Sequence, residues 1–447
     1  MRSDRVGLWC FDPERNSGHG GRRVRRTRRG ARGAAIVGVA LGWLLASIAC
    51  AEVSLEKART PTVVLISLDG TRPADLTPER LPSLLVLAEG GLRAEALIPV
   101  NPTNTFPNHV SLATGVHPET HRLVNNSFID PERGRFKRSE PHAWIESETI
   151  WSVAERNGVR AVSYFWVGSE GPGAGGPGPS ESRKFSSRTR EKTKVNRILK
   201  WLSEDDAAKR PGLITSWFHG ADHAAHDYGP DAPEVEASLA PQNAEIARLV
   251  REMEERGLFE MTTLIFVSDH GMTTATRRVD LGRRLRDEGL SVSVLGIGGF
   301  SSVVLKRGGK GDSAQRIARI LELARGEGLE AFPRAEAPES WHVDDPRFGD
   351  VVVRAKVGTA IVTPRSNIEG FHGYDAREPS MAGMLVARGR GIEAGTQIGR
   401  VSNLRIAPTV LTLLGLPIPE QMKGPVIDEM LVGVELKKGG ATRAPSE

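Results

Sequence analysis

The sequence predicts an α/β fold: a central, mostly parallel sheet with helices on both faces. Apolar, β-branched runs recur along the chain without polar alternation, and helical patterns separate them. Near-continuous apolar runs suit strands buried on both faces, and strands alternating with helices point to a parallel sheet. Two of these runs lead straight into a carboxylate and a third reaches one within four residues, where open α/β sheets place their ligands.

The strand candidates are 62–68 (TVVLISL), 161–166, 212–218, 263–268 (TLIFVS) and 383–387. Helical patterns cover 81–89, 148–157, 244–256 and 313–325. Residues 168–180, GSEGPGAGGPGPS, carry so much Gly and Pro that they read as a loop. Residues 288–365 differ in character. Short alternating strands, SVSVLGIGG and DVVVRAKVG, flank the 313–325 helix and predict a small α+β insertion within a domain running from about 58 to 430. Residues 431–447 read as a tail.

The formal charge of +5 invites a nucleic-acid or membrane reading. Its distribution argues against one. Ten arginines crowd residues 1–33 beside only Asp4, Asp12 and Glu14, and the rest of the chain holds 50 basic and 52 acidic residues. No nucleic-acid-binding surface is expected on a body that is nearly neutral. The arginine block precedes the apolar run AAIVGVALGWLLASIA at 34–49, which predicts an export signal over 1–50 and a periplasmic or extracellular location. Cys50 follows Ser47 and Ala49 and marks a lipid anchor as one alternative; an uncleaved anchor helix is another, and the membrane enters only there. Cys10 and Cys50 are the only cysteines, so a metal site in the body has to draw on His and Asp.

The strand ends supply such ligands. The 62–68 strand ends in Asp69-Gly70, the 263–268 strand in Asp269-His270-Gly271, and the 212–218 strand runs into HGADHAAH. Carboxylates converging at one sheet edge repel one another unless a cation joins them. Asp222 and His226, four apart, can share a helix face and grip one ion. His372, flanked by Gly370 and Gly373 in GFHGY, is a further ligand. His and Asp together suit zinc better than magnesium, which prefers oxygen and water. Thr105 opens a helical stretch, where the backbone dipole favours phosphate.

In order along the chain stand LISLDG, NTFPNHVSLATG, HRLVNN, FWVGSE, DHAAHDYGP, SDHGM, FHGYD and IAPTVLTLLGLPIP, covering nearly everything from Val63 to Pro419. In these motifs the chain resembles the nucleotide pyrophosphatase/phosphodiesterase family of the alkaline phosphatase superfamily. The resemblance implies an alkaline-phosphatase-like fold and two zinc ions per chain. Asp69, Thr105, Asp269 and His270 would hold one ion, and Asp222, His226 and His372 the other. Thr105 would attack phosphorus and carry a phosphothreonine. Asn126 would donate to a phosphoryl oxygen, and Phe106 would stack on a nucleoside. The implied substrate is a small phosphodiester or a nucleotide.

The chain departs from the family pattern at Gly220-Ala221-Asp222, where Glu-Pro-Asp is usual, and at Trp166-Val167-Gly168-Ser169 in place of Trp-Pro-Gly-Ser. Beyond that step only Phe185 offers an aromatic ring for a nucleoside pocket. A phosphomonoesterase, or a hydrolase of phosphonates or phospholipid head groups, is the nearest alternative on the same site. The motifs contain no evident Lys or Arg to meet a monoester's extra charge, which leans toward diesters. A binding protein on a dead scaffold is the other rival, but it would have lost a ligand or the nucleophile, and all seven positions are filled. His219, His223 and Asp227 crowd Asp222 as rival ligands. His109, His117 and His121 read as structural or solvent-facing, and Arg388 and Arg390 as solvated charges.

Overall fold

The computed structural model describes residues 61–434 apart from 207, 310 and 365. The expected export signal, Cys50 and most of the tail lie outside the described residues. Among the described residues, no helix is long and apolar enough to cross a membrane.

The strands in chain order are β1 (Thr62–Leu68), β2 (Leu92–Ile98), the short ribbon β3 (Ile129–Asp130) and β4 (Gly134–Arg135), β5 (Ala161–Tyr164), β6 (Glu181–Arg183), β7 (Leu213–Phe218) and β8 (Thr262–Val267). Next come β9 (Thr273–Val279), β10 (Val292–Leu295), β11 (Phe300–Leu305), β12 (Glu330–Pro333), β13 (Val351–Arg354), β14 (Gly358–Ile361), β15 (Gly370–Phe371), β16 (Leu385–Gly389) and β17 (Thr396–Ser402). Eight of them form one sheet in the order β17-β2-β16-β8-β1-β7-β5-β6. Seven run the same way. Only β16 is reversed, pairing antiparallel with both β2 and β8.

The unbroken apolar character of β1 is explained by burial on both sides. Val63 and Leu65 face one core, with Trp151, Val410 and Leu411 from the covering helices. Val64, Ile66 and Leu68 face the opposite core, against Leu84, Ile198, Leu239 and Ile246. The helix expected at 244–256 begins earlier and spans Pro233–Glu255, running through Pro241. Pro241 cuts the helical pattern in the sequence, yet Val235 and Leu239 upstream of it are buried in the same core.

A second sheet, β10-β11-β13-β12, lies within residues 292–354. The helix Ser313–Gly326 packs on it through Ile320, Leu323 and Ala324. Its β10–β11 turn reaches the main domain: the Gly299 amide donates to the His372 carbonyl at 2.9 Å, and Gly298 and Ile361 exchange backbone bonds.

Candidate active site

The carboxyl ends of β1, β7 and β8 meet through backbone contacts that only glycine permits. The Asp69 carbonyl accepts from the amides of Ala221 (2.9 Å) and Asp222 (3.2 Å). Gly220 adopts φ +59°, and a Cβ there would lie 2.0 Å from the Asp69 oxygen. From behind, the buried Gln242 amide grips Gly220 on both sides, accepting from its N–H at 2.8 Å and donating to its carbonyl at 2.7 Å. Across the junction, the Gly70 amide donates to Asp269 Oδ1 at 3.1 Å.

Around these ends the side chains named from the sequence come together in two adjoining groups. His270 Nε2 lies 3.2 Å from Thr105 Oγ1, 3.2 Å from Asp269 Oδ2 and 3.7 Å from Asp69 Oδ1. Asp222 Oδ1 lies 3.4 Å from His226 Nε2 and 4.0 Å from His372 Nε2. Asp222 is also close enough to Asp69 and His270 for the three to hold an ion together. Donors at zinc-like bond lengths around one ion lie roughly 3.3 Å apart, so these separations fit divalent metal ions.

Two further features fit the same reading. All three imidazoles place Nδ1 against a backbone carbonyl: His226 on Gly370 (2.8 Å), His270 on Gly271 (2.8 Å) and His372 on Thr103 (2.9 Å). A carbonyl only accepts, so each ring carries its proton on Nδ1 and turns the Nε2 lone pair into the cluster, the tautomer that metal ligation needs. The carboxylate oxygens Asp69 Oδ1, Asp222 Oδ1 and Asp269 Oδ2 are buried without a hydrogen-bond donor. Buried carboxylates of this kind call for either a counter-ion or a proton.

The electrostatics agree. Burial, then the neighbouring Asp269 and Asp222 charges, pushes Asp69 well above the usual carboxylate range. Burial alone would raise Asp269 as well, but the His270 and His109 imidazoles outweigh it and hold that carboxyl low. Burial, then His270 and His226, drives His372 well below the ordinary imidazole value, which keeps it a neutral donor. The group around Asp222 is the more open one. Its side chains keep 22%, 21% and 11% of their surface for Asp222, His226 and His372, whereas Asp269 and His270 are sealed.

Both groups face a cavity of about 1080 Å³. Thr105 sits at the first position of the helix Thr105–Thr114, so its hydroxyl lies at the positive end of the helix. Asn126 Oδ1 accepts the Phe106 amide at 2.8 Å, which leaves the Asn126 NH₂ as the cavity-facing end. Asn125, buried in the same cavity wall, uses its Oδ1 to accept from Asn104 Nδ2 and from the Asn126 amide. Phe106 forms part of the cavity wall and packs edge-on to Phe136. Phe185 also lines the wall, stacked on Trp217 at 5.0 Å. The rival ligands stand apart: His219 binds Glu191 at 2.6 Å, and the exposed His223 reaches only toward Asp227.

Sequence reasoning missed several cavity residues. Trp217 was hidden inside a strand, although its place near the carboxyl end of β7 was a usable signal. Phe165, Glu170, Arg135 and Arg138 also line the cavity. Arg138 donates from Nε to the Asn126 carbonyl at 2.7 Å, and neither arginine forms an ion pair among the described residues. Arg135 closes β4 and Arg138 lies three residues beyond it, in a segment without a chemical motif.

Comparison with known proteins is consistent with this site. The profile of the family "Type I phosphodiesterase / nucleotide pyrophosphatase" matches residues 63–375. An uncharacterized pyrophosphatase/phosphodiesterase of Schizosaccharomyces pombe is 32% identical over 390 residues, covering 80% of this chain and 77% of that protein. Human ectonucleotide pyrophosphatase/phosphodiesterase family member 7 is 27% identical, with 88% and 87% covered. The chain spans 43% of a Caenorhabditis elegans ectonucleotide pyrophosphatase/phosphodiesterase to which it is 28% identical. In fold it resembles murine ectonucleotide pyrophosphatase/phosphodiesterase 5, solved as an inactive variant with AMP, with a TM-score of 0.75 at 22% identity, covering 83% of this chain and all of that one. The chain therefore belongs to the type I phosphodiesterase/nucleotide pyrophosphatase family, hydrolases of phosphodiester and pyrophosphate bonds.

Proposed function

We propose that this protein is an exported two-zinc enzyme that hydrolyses nucleotide diesters and pyrophosphates through a phosphothreonine at Thr105. The observation that carries the proposal is the arrangement of Thr105 Oγ1 and three backbone-oriented imidazoles around unpartnered carboxylate oxygens. Asp69, Thr105, Asp269 and His270 would hold one ion, and Asp222, His226 and His372 the other. When bound, the metal pair supplies Lewis acidity at phosphorus and lowers the pKa of hydroxyl and water. Thr105, fixed at a helix start, offers its oxygen to phosphorus. Asn126 donates its free NH₂ to a non-bridging oxygen. Phe106, Phe185 and Trp217 give a planar leaving or retained group an apolar wall. The threonine-to-alanine change in the inactive murine relative supports a threonine nucleophile. The arginine-rich start and the apolar run after it support export, to a periplasmic or extracellular location.

Purified protein should contain close to two zinc ions per chain and cleave a chromogenic nucleotide diester faster than the matching monoester. Thr105→Ala should lose at least ~10³-fold in kcat while keeping its metal. A variant at full rate would overturn the mechanism.

A second reading, phosphomonoester hydrolysis, gains from one observation. Arg138, tied to the Asn126 backbone, brings a cation to the side of the cavity that holds the phosphoryl-binding amide. In that case Arg138→Ala would cut kcat/KM for the monoester by roughly tenfold or more and leave the diester nearly unchanged. Equal losses on both substrates would exclude the second reading.

A further inference from the structure

The local sequence offers no reason to treat His109 as anything but a core residue, and the mechanism above does not use it. Its surroundings say otherwise. The ring is fully buried, one helical turn after Thr105. Its Nδ1 lies 2.9 Å from the Thr105 carbonyl oxygen and 3.4 Å from Asp269 Oδ2. Because a carbonyl only accepts, Nδ1 carries the proton, and that N–H sits between the nucleophile's own backbone and a ligand carboxylate. Of the two imidazoles beside Asp269 Oδ2, His270 turns a lone pair toward it, so the His109 N–H, 3.4 Å away, is the positive pole that faces it, while Oδ1 takes the Gly70 amide. On the other side the His109 ring is wedged against Trp166 and Trp217, with centroid distances of 5.2 and 4.8 Å. The Trp166 indole donates to the His109 carbonyl at 2.9 Å. The imidazole thus joins a ligand carboxylate, the start of the nucleophile's helix and the aromatic wall of the cavity.

We propose that His109 is a positioning residue: its Nδ1–H, donated to the Thr105 carbonyl, also turns its positive pole on Asp269 Oδ2 at 3.4 Å, so that ligand and nucleophile keep one fixed separation. This inference rests on the proposed two-metal site. Carboxylates that ligate metals are themselves hydrogen-bonded, and losing such a partner typically costs 10–100-fold in metal affinity. A plain packing role predicts no such loss, so the donor and the ring have to be tested apart.

Two substitutions separate them. His109→Asn keeps an N–H donor near the Nδ1 position and removes the ring. His109→Phe keeps a ring between the tryptophans and removes the donor. Metal content would be measured against a graded chelator series, with kcat and KM read at saturating zinc and Tm as a check on folding. We expect His109→Phe to lose roughly 10–100-fold in zinc affinity and to fall in kcat at nearly constant KM. His109→Asn should stay within about threefold of wild type in zinc affinity, even where its Tm drops. The reverse pattern, with metal kept by His109→Phe and lost by His109→Asn, would overturn the proposal. So would equal retention by both. Wild-type protein that binds two ions yet cleaves no diester would refute the substrate reading and leave this test standing. Wild-type protein that binds no zinc would refute both.

Discussion

Glu170 lies in the cavity wall with one carboxylate oxygen buried and unpartnered. Burial pushes its pKa from 4.5 up to about 7. A carboxyl raised on folding contributes stability that is complete below its unfolded value and lost as the pH climbs through the folded one. The window here is pH 4.5 to about 7. Glu170→Gln mimics the protonated form, so it should melt above wild type at pH 8 and together with it at pH 4. Thermal scans at both pH values check this; a variant less stable at pH 8 would contradict it. Nothing in the local sequence around Glu170 announces such a shift, because only the folded packing dehydrates the group. The metal-ligand candidates were legible for the opposite reason. Asp69, Asp269 and His270 directly follow strands whose apolar runs are unmistakable, and Asp222 and His226 repeat at helical spacing. The approach of His109 to Asp269 was not legible, because the two are distant in sequence and the neighbours of His109 suggest only a helix interior.

At the scale of elements, the junction of β1 with β7 depends on two glycines pressed against backbone. A methyl group at position 220 would meet the Asp69 oxygen and nitrogen at 2.0 and 2.4 Å, in a left-handed conformation besides. Gly220→Ala should therefore cost about 2–5 kcal/mol and displace Asp222 from His226 and His372. Urea unfolding and metal analysis together test this, and a variant with full metal content and unchanged midpoint would refute it. The departure from Glu-Pro-Asp at 220–222 has a structural reason: the glycine lets the chain turn tightly beneath Asp69. Five strands of the main sheet were readable from composition, but β2, β6 and β17 and the reversed direction of β16 were not. An apolar run reads the same in either direction, and only the path of the loops before and after it decides its sense.

For the whole molecule, the site draws on residues from Asp69 to His372, contributed by the ends of β1, β7 and β8, by two helices and by the turn after β15. Bound ions would hold these segments together, and ligands that bind only the folded state stabilise it by mass action. Treatment with a chelator should abolish turnover and lower Tm by several degrees, with zinc restoring both. A melting curve indifferent to chelator would argue against metal at this site. The α+β character of 288–365 was visible in its alternating short strands. That its β10–β11 turn supports His372 was not, since it depends on a hydrogen bond between two glycine-rich turns.

Strand β2 finds both of its neighbours, β16 and β17, near the far end of the described chain; Arg93 and Gln397 meet across 304 positions. During synthesis, residues 92–98 therefore wait without partners, and the flank of β8 stays bare, until about residue 389 has cleared the ribosome, and β2 lacks its second neighbour until about residue 402. A ribosome stalled before that point would display an unfinished sheet, with its open strand edges, to chaperones.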